Sequence, residues 1–337
     1  MSRIRPGLRH FPPRPISVAS LVILISILTS LAGCGPAGQQ SKIMNVGMLL
    51  GSGGLGDKSF NDSAYSGLME AQRKFNIRFE TVNTANKETD LKALRAFGQN
   101  KYDLVICIGF EQMENIQTVA REFPLSRFAA IDFEVAGENI ASVVYREHEA
   151  DFLMGVLAAM ITKSKTVGVI GGADSAPISR IMAGFKKGVA YQDNNVIVYS
   201  DVAGTFSDPQ VGLALALARY NQGADMIHNA AGRTGLGIIE AARQTGKLTT
   251  GTSGDQRYLA PGNVVGNRPK RVDTAVLMMV EAIKSGSFKS GVRSLGLKED
   301  GLSLGPFDET IVTKAMSSRL EDLKQKIVKG EIVIQAE

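Results

Sequence analysis

Residues 47–62 read GMLLGSGGLGDKSFND and join an apolar run to a polar stretch. The run ends at Leu50 and helix-favouring sequence begins near Ser59, so the segment predicts a strand, a glycine-rich turn and a helix. The glycines of GSGGLG have the G-x-G-x-x-G spacing of a dinucleotide-binding turn, which needs bare helix N–H groups for a pyrophosphate. Asp57 instead places a carboxylate there. We interpret the turn as a pliable strand exit, with a nicotinamide-dependent enzyme as an alternative.

From residue 43 onward, strand-like and helix-like segments alternate along the chain in two successive series. The predicted strands are IMNVGMLL, IRFETVN, DLVICIGF, RFAAIDF and IASVVYR in a first series, and TVGVIGG, NVIVYSD, ADMIHNA, LTTGTSG and NVVGNR in a second. The predicted helices begin near residues 59, 89 and 113 in the first series and cover 177–192, 208–221, 234–245 and 273–286 afterwards. Such alternation predicts α/β units around parallel sheets. In these units ligands bind beyond the carboxyl ends of the strands, so residues directly after strands are the site candidates.

The N-terminal residues 1–33 have the pattern of a secretory leader. Four arginines precede the apolar run ISVASLVILISIL, which is too short for a comfortable transmembrane helix. The run leads to LAGC, residues 31–34, which resembles a bacterial lipobox that ends in a lipidated cysteine. We therefore expect a signal peptide over 1–33, a membrane anchor on Cys34 and a short tether over 34–42. The alternative is an ordinary signal peptide with an incidental cysteine.

Composition argues against several classes of partner and chemistry. The chain has 337 residues and a formal net charge of +5, but four arginines of the leader account for most of it and leave +1 from residue 34 onward. This balance predicts no nucleic-acid partner. The three histidines, His10, His148 and His228, are scattered, and Cys107 lies in an apolar run. We expect no metal site, no cofactor and no disulfide, and interpret His228 and Cys107 as structural.

Several motifs occur together in the order found in one known family. GDKSFNDSAYSGL resembles the DDKSFN signature of the basic membrane protein family, which comprises substrate-binding lipoproteins of ABC transporters. RFAAIDFEV, DFLMGVLAAMITKSKTVGVIGG and GDQRYLAPGNVVGNRPKRVD are similar to further family segments, and GADMIHNAAGRTGLG is the most specific match. The resemblance covers about residues 45–275. The best-understood members of the family are purine nucleoside receptors.

The resemblance implies a fold of the type I periplasmic-binding-protein class. Two doubly wound parallel-sheet α/β lobes would be joined by a hinge, with the ligand cleft between them. We expect residues 43–146 plus about 266–295 to form the N-terminal lobe. Residues 147–265 plus about 296–337 would form the C-terminal lobe.

The resemblance also assigns roles to residues that match the family's purine nucleoside site. Phe60 and Phe206 match the aromatic side chains that sandwich the base, and stacking of this kind is tolerant of base identity. Asn61 and Asp132 match the groups that read the base edge. Asp255 and Lys270 match the pair that holds the ribose hydroxyls. The remaining expected ligand-binding residues are Asp57 and Gly232.

The chain departs from the family pattern at several positions near the expected site. Gly56 replaces the first acid of DDKSFN, and TSGDQ replaces the usual segment before Asp255. Asn267 and Pro269 lie close to the expected sugar-binding lysine, which makes ribose recognition less secure than base stacking. Arg233 stands where glycine is usual, and the sequence leaves open whether its side chain reaches the cleft or the solvent.

The function that we predict is a lipid-anchored receptor of the cell envelope. It would bind a purine nucleoside as a monomer and deliver it to an ABC permease in the membrane. A sensor of the same fold for another small ligand is the first alternative. A nucleoside hydrolase is a further alternative, but the activated water of such an enzyme needs clustered carboxylates or a metal, and the sequence shows no such cluster.

Overall fold

The computed structural model describes residues 43–336, so the predicted leader, tether and lipidated Cys34 lie outside the described residues. Its strands are β1 (Met44–Leu50), β2 (Ile77–Asn83), β3 (Leu104–Ile108), β4 (Phe128–Ile131), β5 (Ile140–Tyr145), β6 (Thr166–Gly171), β7 (Ile197–Val202), β8 (Met226–Ala230), β9 (Leu248–Gly251), β10 (Val264–Asn267) and β11 (Gly291–Leu295). Its α-helices are α1 (Phe60–Phe75), α2 (Lys87–Gln99), α3 (Met113–Glu122), α4 (Glu147–Ile161), α5 (Ala176–Gln192), α6 (Pro209–Asn221), α7 (Gly235–Thr245), α8 (Val272–Lys284) and α9 (Lys314–Val328). The predicted strands and helices are confirmed to within three residues at their ends. The structure adds α4, β11 and α9.

Two parallel sheets organise these elements. The first has six strands in the order β11-β5-β4-β3-β1-β2, and the second has five in the order β10-β9-β8-β6-β7. Every pair of neighbouring strands is parallel. We call each sheet with the helices packed on it a lobe, the first lobe and the second lobe respectively. The prediction of two parallel-sheet α/β lobes is confirmed.

The central strands explain why these sheets form. All residues of β3, β4 and β8 are buried, and β1 has a single half-buried position. Continuous apolar runs of this kind suit the middle of a parallel sheet whose two faces are both covered by helices. The edge strands β2 and β7 alternate between exposed and covered positions instead. The core of each lobe therefore lies on both faces of its sheet.

Helices α4 and α5 pack against each other at unusually close range. A Cβ atom at Gly188 would lie 1.9 Å from the backbone oxygen of Phe152, and one at Gly155 would lie 2.1 Å from the oxygen of Phe185. Only glycine leaves room for backbones at this distance. The close approach fixes α4 under the second sheet, and the first turns of α4 lie next to the site described below.

The chain passes between the lobes after β5, after β10 and after β11. The segment that follows β10 runs along the other two, since Tyr145 donates a hydrogen bond to the backbone oxygen of Arg271 and Lys270 forms a β-bridge with Leu302. These three crossings lie side by side at one end of the cleft between the sheets. They have the arrangement of a hinge.

Candidate functional site

A cavity lies where the carboxyl ends of the two sheets face each other. Segments that follow strands of both sheets line it, as expected for parallel α/β units. The space that the centres of water molecules can occupy measures about 90 Å³, which is room for several waters and not for one alone. The predicted site residues that line it are Asp57, Phe60, Asn61, Asp132, Phe206, Gly232 and Lys270.

The turn between β1 and α1 is organised by Asp57. Its carboxylate accepts hydrogen bonds from the backbone N–H groups of Ser59, Asn61 and Asp62, which are the first free donors of α1. Burial raises the pKa of Asp57, although these N–H groups act in the opposite direction. The carboxylate thus occupies the donors that a pyrophosphate would need in a dinucleotide-binding turn.

Asn61 is held in place by the same turn. Its side-chain oxygen accepts from the backbone N–H of Gly51 at 2.8 Å, and its side-chain nitrogen donates to Asp57 at 3.0 Å. The residue is buried and lines the cavity from the first turn of α1. The amide therefore presents a fixed polar edge to whatever the cavity contains.

Aromatic side chains from both lobes line the cavity. Phe60 begins α1 in the first lobe, and Phe206 lies between β7 and α6 in the second. Phe206 packs over Gly172, where a Cβ atom would lie 2.2 Å from its ring, and close to Gly232, whose φ is +56°. Phe110 meets Phe206 edge to face with ring centroids 6.5 Å apart. Gly172 and Gly232 thus leave the space that the Phe206 ring fills.

A buried ion network closes the end of the cavity at the lobe crossings. Lys270 donates to Asp132 at 2.7 Å and to Glu147 at 2.9 Å, and Arg180 donates to Glu147 at 2.6 Å. Burial raises the pKa of Asp132 to about 6, against the attraction of Lys270, and the charge of Glu147 adds to the rise. The Lys270 ammonium also lies 5.7 Å from the centre of the Phe60 ring.

A second buried network lies behind the cavity. His228 contacts Asp151 at 2.7 Å and Thr250 at 2.9 Å, and its ring stacks on Phe185 at 4.9 Å. Burial lowers the pKa of His228, despite its contact with Asp151. The Nε atom of Arg268 lies 3.0 Å from the same carboxylate. His228 therefore belongs to the support of the site, and it does not line the cavity.

Asp255 lies outside the cavity lining. Its exposed carboxylate is held by Arg257 at 2.8 Å and by the side-chain nitrogen of Asn267 at 3.1 Å. The hydrogen bonds from Arg257 lower the pKa of Asp255 to about 2. Its neighbours in the same loop, Thr252 and Ser253, line the cavity in its place.

Arg233, Gln256 and Thr252 of the second lobe make polar contacts with the first lobe beside the cavity. Arg233 donates from its Nε to the backbone oxygen of Gly53 at 2.8 Å, which answers the question of where this side chain points. Gln256 donates to the backbone oxygen of Lys58 at 3.0 Å, and the hydroxyl groups of Ser59 and Thr252 share a hydrogen bond. All three contacts hold the turn that follows β1.

The sequence interpretation missed Arg268, which lines the cavity at 3% exposure. A signal was available, because Arg268 is two residues from Lys270, and side chains two residues apart in extended chain point to the same side. Cys107, interpreted as structural, is a free and fully buried thiol in β3, and burial raises its pKa.

Two features of residues 43–336 bear on other classes of function. This part of the chain holds no group of three or more histidine, cysteine, aspartate or glutamate side chains placed to bind a metal ion. None of its helices has the length and apolar character that a membrane span requires.

Known proteins place the chain in a family. A family model described as ABC transporter substrate-binding protein PnrA-like matches residues 44–337. An uncharacterised lipoprotein of Pyrococcus abyssi is 31% identical over 88% of this chain and 78% of its own length. Basic membrane protein A1 of Borrelia garinii is 28% identical over 93% of this chain and 95% of its own length.

Solved structures agree with this placement. A solute-binding protein of an ABC transporter system from Aeropyrum pernix K1 shares the fold with a TM-score of 0.80 and 28% identity, over 87% of this chain and 94% of that one. The resemblance seen in the sequence motifs is therefore confirmed. The chain belongs to the basic membrane protein family, the PnrA-like substrate-binding proteins of ABC transporters.

Proposed function

We propose that this protein is a lipid-anchored receptor that binds a purine nucleoside between its lobes and delivers it to an ABC permease. The observation that carries the proposal is the pairing of Phe60 and Phe206, which come from different lobes and line one cavity. A purine offers two flat faces, and each base-to-aromatic stack contributes about 1–3 kcal/mol. Because the two rings belong to different lobes, a stacked base would hold the lobes together.

The polar lining fits the rest of a nucleoside. Asn61 offers both a donor and an acceptor, and Asp132 offers a carboxylate to N–H groups of a base. Lys270, with Ser253 and Thr252 nearby in the lining, faces the cavity with donors for hydroxyl oxygens. In this arrangement Asp255 acts on its loop through Asn267, and we assign it no direct ligand contact.

The family and the leader support the proposed location and partner. Members of the family are binding proteins of ABC systems rather than enzymes, and such proteins work outside the cytoplasm with a membrane permease. Relatives carry the name lipoprotein. The lipobox-like LAGC segment, which ends in Cys34, supports an anchor that keeps the receptor beside its permease.

Calorimetry tests the proposal. Purified protein is titrated with adenosine, guanosine, inosine, the free bases and ribose, and small molecules released by denaturation are identified by mass spectrometry. We expect heat and a rise in Tm with at least one nucleoside, and no binding of ribose alone. Absence of heat, of a Tm shift and of a co-purified nucleoside would overturn the assignment of the ligand.

A further inference from the structure

The cavity contains a buried cation whose hydrogen-bonding capacity is unused. Arg268 is 3% exposed and lines the cavity, and its single charged contact in residues 43–336 is Asp151 at 3.0 Å from Nε. The geometry of that contact leaves Nε without a hydrogen bond, and the guanidinium forms no other side-chain hydrogen bond in the described chain. A guanidinium carries five N–H donors in a planar fork, so this one retains an open edge.

The carboxylates of the cavity do not need those donors. Asp57 accepts from backbone N–H groups of its own turn, and Glu111 accepts from the backbone N–H of Ser52 at 2.8 Å. Asp132 accepts from Lys270. The cavity therefore has supplied acceptors and one unsupplied planar donor. An unmet donor in a buried site favours a ligand with acceptor atoms at that place.

The position of Arg268 is fixed by the fold. Glu147 and Asp151 are four residues apart on α4 and so share one face of the helix. Two cations after β10 lie over this face, Lys270 on Glu147 and Arg268 on Asp151. Asp151 is itself held by His228. The guanidinium is thus pre-positioned and loses little freedom when it binds a ligand.

We infer that Arg268 and Asp132 make the site selective for 6-oxopurine nucleosides, guanosine and inosine, over adenosine. This inference rests on the proposed function. A 6-oxopurine presents O6 and N7 as a pair of acceptors, which an arginine binds with two parallel hydrogen bonds, whereas adenine presents N7 beside an amino donor. The N1–H group of a 6-oxopurine donates to a carboxylate such as Asp132. The N1 atom of adenine is itself an acceptor, so it and the Asp132 carboxylate would repel each other.

Ligand analogues test the inference on the unaltered protein. Calorimetry compares guanosine, inosine, adenosine, purine riboside, which lacks both O6 and the N1–H group, and 7-deazaguanosine, which lacks only N7. We expect guanosine and inosine to bind about tenfold or more tightly than adenosine, and each analogue that lacks one acceptor to lose about fivefold or more. Equal affinity for all five nucleosides, or a preference for adenosine, overturns the inference and leaves the proposed function intact.

Variants test the residue. Arg268→Met removes the donors and keeps a similar volume, and Arg219→Met is a matched control, because Arg219 is paired with Asp201 away from the cavity. We expect Arg268→Met to reduce the preference for oxopurine over adenine nucleosides about fivefold or more, with the part that Asp132 supplies retained, and Arg219→Met to keep the wild-type ranking. Equal weakening of all ligands by Arg268→Met would show a structural role and overturn the inference.

Two further outcomes are interpretable. If thermal melting shows that Arg268→Met does not fold, the analogue series with the unaltered protein decides alone. If none of the five nucleosides binds the unaltered protein, it is the proposed function that fails, since no ranking then exists to explain.

Discussion

Arg233 donates a hydrogen bond from its Nε to the backbone oxygen of Gly53, at 2.8 Å, and so ties the second lobe to the first beside the cleft. A second nitrogen of the same guanidinium donates to the backbone oxygen of Leu55. The first carbonyl belongs to a buried glycine of the cavity wall, and the second to an exposed residue of the same turn. One side chain therefore fastens the glycine-rich turn to the second lobe at two carbonyl groups.

We expect Arg233→Met to open the ligand-free protein and to weaken ligand binding about fivefold. A hydrogen bond from a charged donor stabilises more than one from a neutral donor. Because Arg233 is half-exposed, however, we expect its loss to cost only about 1 kcal/mol in the free energy of closure. A receptor that spends less time closed has a lower apparent affinity. Small-angle scattering of the ligand-free protein and calorimetry with guanosine measure the two effects.

Arg243→Met is the control for that experiment, because Arg243 pairs with Glu240 on the surface of α7 and does not cross between lobes. It should alter neither the scattering nor the affinity. Unchanged radius and affinity in Arg233→Met would mean that the contact does not contribute to closure.

Phe60→Ala and Phe206→Ala should each weaken nucleoside binding substantially. Loss of one base-to-aromatic stack costs about 1–3 kcal/mol, which corresponds to about 5- to 150-fold in Kd. Tyr191→Ala is the matched control, since Tyr191 lies at the far end of α5 and is 51% exposed. Calorimetry of the three variants makes the comparison. Affinities that stay within twofold of wild type in both phenylalanine variants would contradict stacking between the lobes.

The predictable part of this fold is the part with local signals. Central strands such as β3 are unbroken apolar runs, and strand-end positions of parallel sheets converge on one edge, so Phe60, Asp132 and Phe206 could be expected to meet before any coordinates were known. β11 lacks such a signal. It is an edge strand with exposed and half-buried positions, and it pairs with β5, which lies far back in the chain.

The unpredicted part of the site depends on side-chain direction. Asp255 and Ser253 are two residues apart in one loop, yet only the serine lines the cavity, because Arg257 and Asn267 hold the aspartate elsewhere. The environment of Arg268 depends on Asp151, which belongs to a helix that the sequence motifs did not delimit. Neither fact follows from spacing along the chain.

Gly188→Ala should destabilise the second lobe. The added Cβ atom would lie 1.9 Å from the backbone oxygen of Phe152, so α4 and α5 must separate. Overpacking of this kind costs about 1–3 kcal/mol or more. Urea denaturation followed by circular dichroism measures the free energy of unfolding. Ala190→Gly, at an exposed position of the same helix, calibrates the helix-propensity effect at about 1 kcal/mol. A Gly188→Ala variant as stable as wild type would contradict backbone contact between the helices.

Cys34→Ser should release the protein from the membrane. If Cys34 carries the lipid anchor, the Cys34→Ser variant lacks the thiol that is lipidated. Stable attachment needs two or more acyl chains, so the variant should leave the membrane. Fractionation of expressing cells into membrane and soluble parts, with intact-mass measurement of both forms, tests this. Cys107→Ser is the control, because Cys107 is buried in β3 and should not affect the distribution. Membrane retention of Cys34→Ser without lipid mass on the wild-type protein would contradict the anchor.

The raised pKa of Asp132 predicts a pH effect on stability. In the folded protein burial raises this pKa to about 6, whereas an aspartate in an unfolded chain titrates near 3.9. Between these values the folded state keeps a proton that the unfolded state has released, so stability must fall as pH rises through the window. Asparagine does not titrate, so an Asp132→Asn variant lacks this contribution to the pH dependence. The free energy of unfolding of wild type minus that of Asp132→Asn should therefore fall from pH 4 to pH 6, by at most about 1.4 kcal/mol per pH unit, and level off above pH 7.

Urea denaturation at pH 4, 5, 6 and 7 measures this difference, and Asp193→Asn provides a control of opposite sign. A hydrogen bond from Lys165 lowers the pKa of Asp193, so its difference curve should rise slightly from pH 4 to pH 5, as the unfolded chain releases its last protons, and stay level above that. The titration of Asp132 matters for function, because its carboxylate contacts Lys270 at the lobe crossings. A flat or rising curve for Asp132→Asn would show that Lys270 holds Asp132 ionised throughout, and Asp132 would then face a ligand as an acceptor at every pH tested.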